Sequence, residues 1–141
     1  MPFVKIYVHL VWATYNRAPL LYSPELRVKI WKHIKENAYK KGIFIDVVNG
    51  HSDHCHCLIS LASNQNIEKI MQLIKGESSY WINKNRLTRS QFGWQDEYFA
   101  VSVSESILED VRNYIINQEN HHKRKTFADE YNEFLKKYRF P

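Results

Sequence analysis

The stretch HSDHCHCLIS, His51 to Ser60, packs three histidines and two cysteines into its first seven residues. Such side chains hold metals, so three readings open: a structural zinc centre, a nuclease metal site, or a buried strand that carries histidines. Strand side chains alternate, so His54 and His56 share one face while Cys55, Cys57 and Ile59 share the other. Those four ligands could meet on one zinc only if the strand broke, and no second C-x-x-C or H-x-x-x-H pair stands elsewhere. The cysteines read as small hydrophobes packed under helices. A lone H-x-H is commonly a polar pair on an open face.

A second group lies downstream in NYIINQENHH. At about 100° per residue, Tyr114, Gln118 and His121 form one stripe beside the apolar face of Ile107, Val111 and Ile115. A phenol and an amide one turn apart would face one target. Taken singly, Tyr114 is more often a packing aromatic and Gln118 a surface residue.

Positioning these groups falls to a short series of elements. VKIYVHLVWATY, Val4 to Tyr15, alternates as a first strand, with Ile6, Val8, Leu10 and Trp12 on one face and Tyr7, His9, Val11 and Ala13 on the other. Ser23-Pro24-Glu25 starts a helix whose stripe is Leu26, Ile30, Ile34 and Ala38, ended by Gly42. IFIDVV, a turn at Asn49-Gly50, and DHCHCLISL form a hairpin. Asn66 caps a second helix, with Ile67, Ile70, Met71, Ile74 and Ser78 in register, ending near Arg86. Gly76 inside it marks a break or a close approach of another backbone or a DNA strand. YFAVSVS is a fourth strand after the loop TRSQFGWQDE. Ser106 and Glu109 form a capping box for the helix SILEDVRNYIINQENHH, and a last helix runs from Phe127 to Tyr138. This order predicts an α+β, ferredoxin-like antiparallel sheet, with helices on one face, added C-terminal helices, and its other face free for a site.

The chain has 141 residues, which suits one domain over 1–141. Lys and Arg number 20 against 15 acidic residues, a net charge of +5 that favours a polyanionic partner. No disulfide framework, signal-peptide pattern or membrane-length apolar run stands out, so a cytoplasmic protein is expected.

The H-x-H strand followed far downstream by Y-x-x-x-Q resembles the HUH endonucleases, specifically the single-tyrosine transposases of bacterial insertion sequences. VHLVWATYNR, LIKGESS, FGWQDEYFAVSVSES, VRNYIINQENHH and TFADEYNEFL resemble that family in the same order, over nearly the whole chain. Two positions depart from its pattern: Cys55 fills the middle HUH position, usually a bulkier apolar residue, and Glu97 stands in place of a glycine. The resemblance implies that His54, His56 and Gln118 hold Mg²⁺ or Mn²⁺ and that Tyr114 is the catalytic nucleophile, forming a 5′-phosphotyrosine on single-stranded DNA. It also implies hairpins at the element ends and a homodimer in which the Tyr114 helix of one subunit completes the His54/His56 site of the other.

The chemistry suits those groups. A phosphodiester repels nucleophiles, and a cation held by two imidazoles and one amide keeps its charge and open positions for phosphate. A phosphotyrosine conserves the bond energy, and the lack of a G-x-x-x-x-G-K-[ST] loop agrees with no nucleotide cofactor. Asp46, Asp53 and Asp96 are too scattered for a two-metal cluster, and Asp53 reads as a turn residue or a support for a ligand. Lys75, Arg86 and Arg89 around the second helix, and Lys123, Arg124 and Lys125 after the tyrosine helix, are candidate DNA contacts, with Lys84 beside the first group and Trp94, Tyr98 and Phe99 for base stacking.

A rival reading is a non-catalytic or domesticated hairpin DNA- or RNA-binding protein on the same scaffold. An RNA-recognition motif would set aromatics where this strand has His54, His56 and Leu58. A replication initiator or relaxase would share the chemistry on a longer chain.

Overall fold

Alternation in the first strand places Val8, Leu10 and Trp12 in one buried layer and His9, Val11 and Ala13 in another. In the computed structural model, which describes residues 2–121 and 125–138, this strand is β1, Tyr7–Ala13. It pairs antiparallel with β3, His54–Ser60, and with β4, Phe99–Val103. β2, Phe44–His51, pairs with β3, giving the order β2-β3-β1-β4 expected of the ferredoxin-like arrangement.

Helix α1, Pro24–Lys40, starts where Ser23 Oγ accepts from Leu26 N at 3.1 Å, and Gly42 at φ 78° closes its end. Helix α2, Ile67–Lys84, starts on Asn66, whose Oδ1 accepts from Lys69 N at 2.9 Å. Both helices bury their apolar stripes against Val8, Leu10, Trp12, Cys55, Cys57 and Ile59. The cysteines are free and buried there, as small hydrophobes, and burial pushes the Cys55 thiol up. Gly76 neither breaks α2 nor meets any atom within 4 Å of an added Cβ.

Two local expectations change. The hairpin turn is Ser52-Asp53, while Asn49 and Gly50 lie within β2. A Cβ on Gly50 would lie 2.1 Å from the His54 carbonyl oxygen, so glycine serves here for strand approach. The Ser106–Glu109 capping box is replaced by Ser104, whose Oγ accepts from Ser106 N at 3.3 Å and heads one turn of 3-10 helix. Helix α3, Leu108–Ile116, follows that turn, and a break at Asn117 separates it from the short α4, Gln118–His121.

The second sheet face, expected to be free, is covered. α3 packs Val111, Tyr114 and Ile115 against Leu58 and Val103. Helix α5, Phe127–Lys137, packs Phe127 and Tyr131 against Val11, Ala13 and Phe99. Among the described residues, no helix is long and apolar enough to cross a membrane.

Candidate active site

Because β3 alternates, His54 and His56 emerge side by side on the face under α3 to α5, and both are fully buried. Asp53, the last residue of the turn, sets its Oδ1 2.8 Å from His54 Nδ1. A carboxylate only accepts, so that nitrogen carries the proton and Nε2 is left for the site. His54 Nε2 lies 3.1 Å from Gln118 Oε1, and the Gln118 amide is oriented by Nε2 donating to the Tyr114 carbonyl at 3.3 Å.

His56 is held at both ring nitrogens. Its Nδ1 lies 2.9 Å from His9 Nε2, and its Nε2 lies 2.8 Å from Glu130 Oε1. Burial, reinforced by His56, pushes the His9 imidazole down to about 3, which keeps it neutral. The other oxygen of Glu130 accepts a short hydrogen bond from the Tyr114 hydroxyl. Burial and then the Glu130 charge push the Tyr114 phenol up, so it rests protonated.

The donor set fits a cation. His54 Nε2 and Gln118 Oε1 face each other at 3.1 Å, and both atoms are of a kind that can ligate a divalent cation. Ligands of an octahedral Mg²⁺ at about 2.1 Å are about 3 Å apart on each edge. The observed edges are 3.1 Å for His54–Gln118, 2.8 Å for His56–Glu130 and 3.8 Å for His54–Glu130. Among the described residues, His54, His56 and Glu130 bring three ligand atoms within 4.8 Å of one another.

α3 and α4 are fixed over the histidines by two ties from β2 and one from α1. Arg112 Nε and Nη2 donate to Asp46 Oδ1 and Oδ2 at 2.9 and 2.7 Å. Hydrogen bonds from Arg112 hold the Asp46 carboxyl below its usual value, against a smaller opposing effect of burial. Asn49 Nδ2 donates to the Ile115 and Ile116 carbonyls at 3.0 and 2.9 Å, capturing oxygens that would otherwise continue the helix. Buried Arg27 donates to both oxygens of Glu119, at 2.7 and 3.0 Å.

The structure thus brings Tyr114, Gln118, His54 and His56 together, all within one chain. It adds Glu130 and His9, which sequence reasoning missed; TFADEYNEFL carried Glu130 only as part of a resemblance, and His9 shared a strand face with nothing to mark it. The expected DNA contacts are dispersed. Lys75 Nζ donates to the Asp96 carbonyl at 3.0 Å, and burial pushes its ammonium down. Arg86 and Arg89 are exposed, with the Arg89 guanidinium 4.4 Å from the Tyr22 ring centroid. Lys125 pairs with Glu133. Lys123 and Arg124, and the side chain of His121, lie outside the described residues. Trp94 is core, donating to Ser78 Oγ at 2.9 Å beneath Trp12.

Comparison with known proteins gives the family and the fold. The family model described as "Transposase IS200 like" matches residues 2–118. A crystal structure of a candidate transposase from Deinococcus radiodurans R1 superposes with TM-score 0.65 at 22% identity, covering 83% of this chain and 93% of that one. A REP-associated tyrosine transposase bound to a REP hairpin superposes with TM-score 0.63 at 14% identity, covering 86% and 72%. No curated protein matches the sequence significantly.

Proposed function

Because this chain belongs to the IS200-like transposase family, we propose that it cuts and rejoins single-stranded DNA at element ends carrying hairpins, within one domain over residues 1–141 and with Tyr114 as nucleophile. The observation that carries this reading is Glu130, whose two oxygens reach His56 and the Tyr114 hydroxyl, so the nucleophile stands one carboxylate away from the metal-ligand group.

His54, His56 and Gln118 would hold Mg²⁺ or Mn²⁺, with Glu130 beside them. The cation would withdraw charge from the scissile phosphate. A cavity of about 730 Å³ beside Tyr114, lined also by His9, Lys136 and Lys137, gives the phosphate a way to the hydroxyl. Tyr114 Oη then bonds to phosphorus while the bond to the 3′ oxygen breaks, and the phenolic proton passes to the carboxylate it already meets. The products are a 5′-phosphotyrosine on the chain and a strand with a 3′ hydroxyl; attack by a 3′ hydroxyl reverses the step.

The hairpin bound by the REP-associated relative supports hairpin DNA as the partner. The Tyr114 helix docks on its own chain's histidines; a homodimer exchanging that helix would rebuild the same contacts between subunits. The full burial of His54 and His56 favours a second reading, a hairpin-binding protein that no longer cuts. Labelled single-stranded DNA from the flanks of the gene, incubated with Mn²⁺ or Mg²⁺ and resolved on denaturing gels, separates the two. Transposase chemistry gives a metal-dependent covalent adduct that Tyr114→Phe abolishes. Hairpin binding without an adduct in either metal supports the second reading.

A further inference from the structure

A second cavity, of about 600 Å³, lies on the other flank of α5 from the Tyr114 cavity. That volume falls in the range that holds small ligands. Its walls join Arg17, Gln95, Glu97, Phe99 and Tyr131, and none of these takes part in the site already described.

The chain is distorted to make it. Asn16 and Arg17 are consecutive non-glycine residues in the left-handed region, at φ 56° and 53°. Such backbone persists only where surrounding bonds enforce it. Here Thr14 Oγ1 donates to the Ala18 carbonyl at 2.7 Å, and Asn16 N donates to Gln95 Oε1 at 3.1 Å. The result sets the Arg17 guanidinium 4.4 Å from the Tyr131 ring centroid, with Phe99 edge-on to that ring at 5.1 Å. Flat cationic and aromatic surfaces of this kind stack unpaired nucleobases.

The polar groups select among bases. Glu97 Oε2 accepts from the Tyr131 hydroxyl at 3.0 Å, and a carboxylate has capacity for further donors. It only accepts, so its complement must present adjacent donors. On the Watson–Crick edge of an unpaired base, guanine alone offers two side by side, N1–H and the 2-amino group. Adenine and cytosine set an acceptor beside the amino group, and thymine flanks its N3–H with two carbonyls. With its oxygen engaged by Asn16, the Gln95 amide offers its NH₂ side, the complement of guanine O6.

We propose that this cavity binds an unpaired guanine of the DNA strand, with Arg17 and Phe99 stacking the base and Glu97 reading its edge. The proposal rests on single-stranded DNA being the substrate, and it gives the chain a base-reading site separate from the cleavage site.

The test is an NMR titration of the ¹⁵N-labelled full chain, without added metal, using dGMP, dAMP, dCMP and TMP in turn. Phosphate and sugar are common to all four, so a difference reports the base. We expect shifts at the Gln95 side-chain amide and Arg17 Nε–H, and an affinity for dGMP about tenfold or more above the others. Glu97→Gln should bring the four within about twofold, and Arg17→Ala should weaken all of them. Equal affinities in the native chain, or a dGMP preference that survives Glu97→Gln, would overturn the proposal. A chain that prefers dGMP but forms no DNA adduct would refute only the cleavage reading, and one that cleaves without base preference would refute only this site.

Discussion

Asn49 Nδ2 donates to the Ile115 carbonyl at 3.0 Å, and with its second bond to Ile116 it ends the helix that carries Tyr114. This strand-to-helix bond sets the break after which Gln118 points at His54. Replacing Asn49 by Ala removes two part-exposed hydrogen bonds, a loss of about 1–2 kcal/mol. Chemical denaturation checks that cost. Cleavage should fall by more than the loss of folded protein explains, since both Tyr114 and Gln118 depend on the break; activity equal to wild type would show that the helix finds its place without Asn49.

Much of this arrangement is legible in the chain. The alternation through His54-Cys55-His56-Cys57 fixes which side chains face the site, and Ser23 and Asn66 announce both long helices. The spacing of Tyr114 and Gln118 survives the break because Gln118 still reaches the Tyr114 carbonyl across four residues. Asn49-Gly50, however, has the chemistry of a turn, and only the pairing of Gly50 with Cys55 reveals that both residues belong to the strand. Glu130 joins His56 from 74 positions away, and no local pattern marks a contact of that range.

Two glycines, Gly76 and Gly50, should respond oppositely to substitution. Gly76→Ala, exposed and with open space around its Cβ, should stabilise the fold by about 1 kcal/mol. Gly50→Ala drives a methyl into the His54 carbonyl and should cost about 1–3 kcal/mol or more while displacing the His54 side chain. Thermal melts of the two variants give the signs directly, and a stable, active Gly50→Ala would contradict the close strand approach.

The Asp46–Arg112 pair makes part of the fold pH-dependent. The folded Asp46 carboxyl lies below the ordinary value of 3.8 because of hydrogen bonds from Arg112. A depressed acid contributes stability that is present above the unfolded value and lost as pH falls through the folded one. The stability gap between wild type and Asp46→Asn should therefore be constant near neutrality and close below pH 3.8. Denaturation midpoints measured from pH 7 downward test this; a gap that widens in acid would reverse the assignment.

Metal affinity should depend on a residue that need not touch the ion. Asp53 fixes the His54 ring through Nδ1, and loss of such a support typically costs about 10–100-fold in affinity. Titration calorimetry with Mn²⁺ should show that loss for Asp53→Asn and abolished binding for the His54→Ala, His56→Ala double variant. Unaltered Mn²⁺ binding by the double variant would place the cation elsewhere.

The most direct measurement is peptide mapping, by mass spectrometry, of the covalent product formed with single-stranded DNA and Mn²⁺. The account predicts a 5′-linked nucleotide on the peptide containing Tyr114 and none in Tyr114→Phe. A nucleotide attached to any other residue, or cleaved DNA with no attached chain, would contradict a tyrosine nucleophile built on the His54/His56 site.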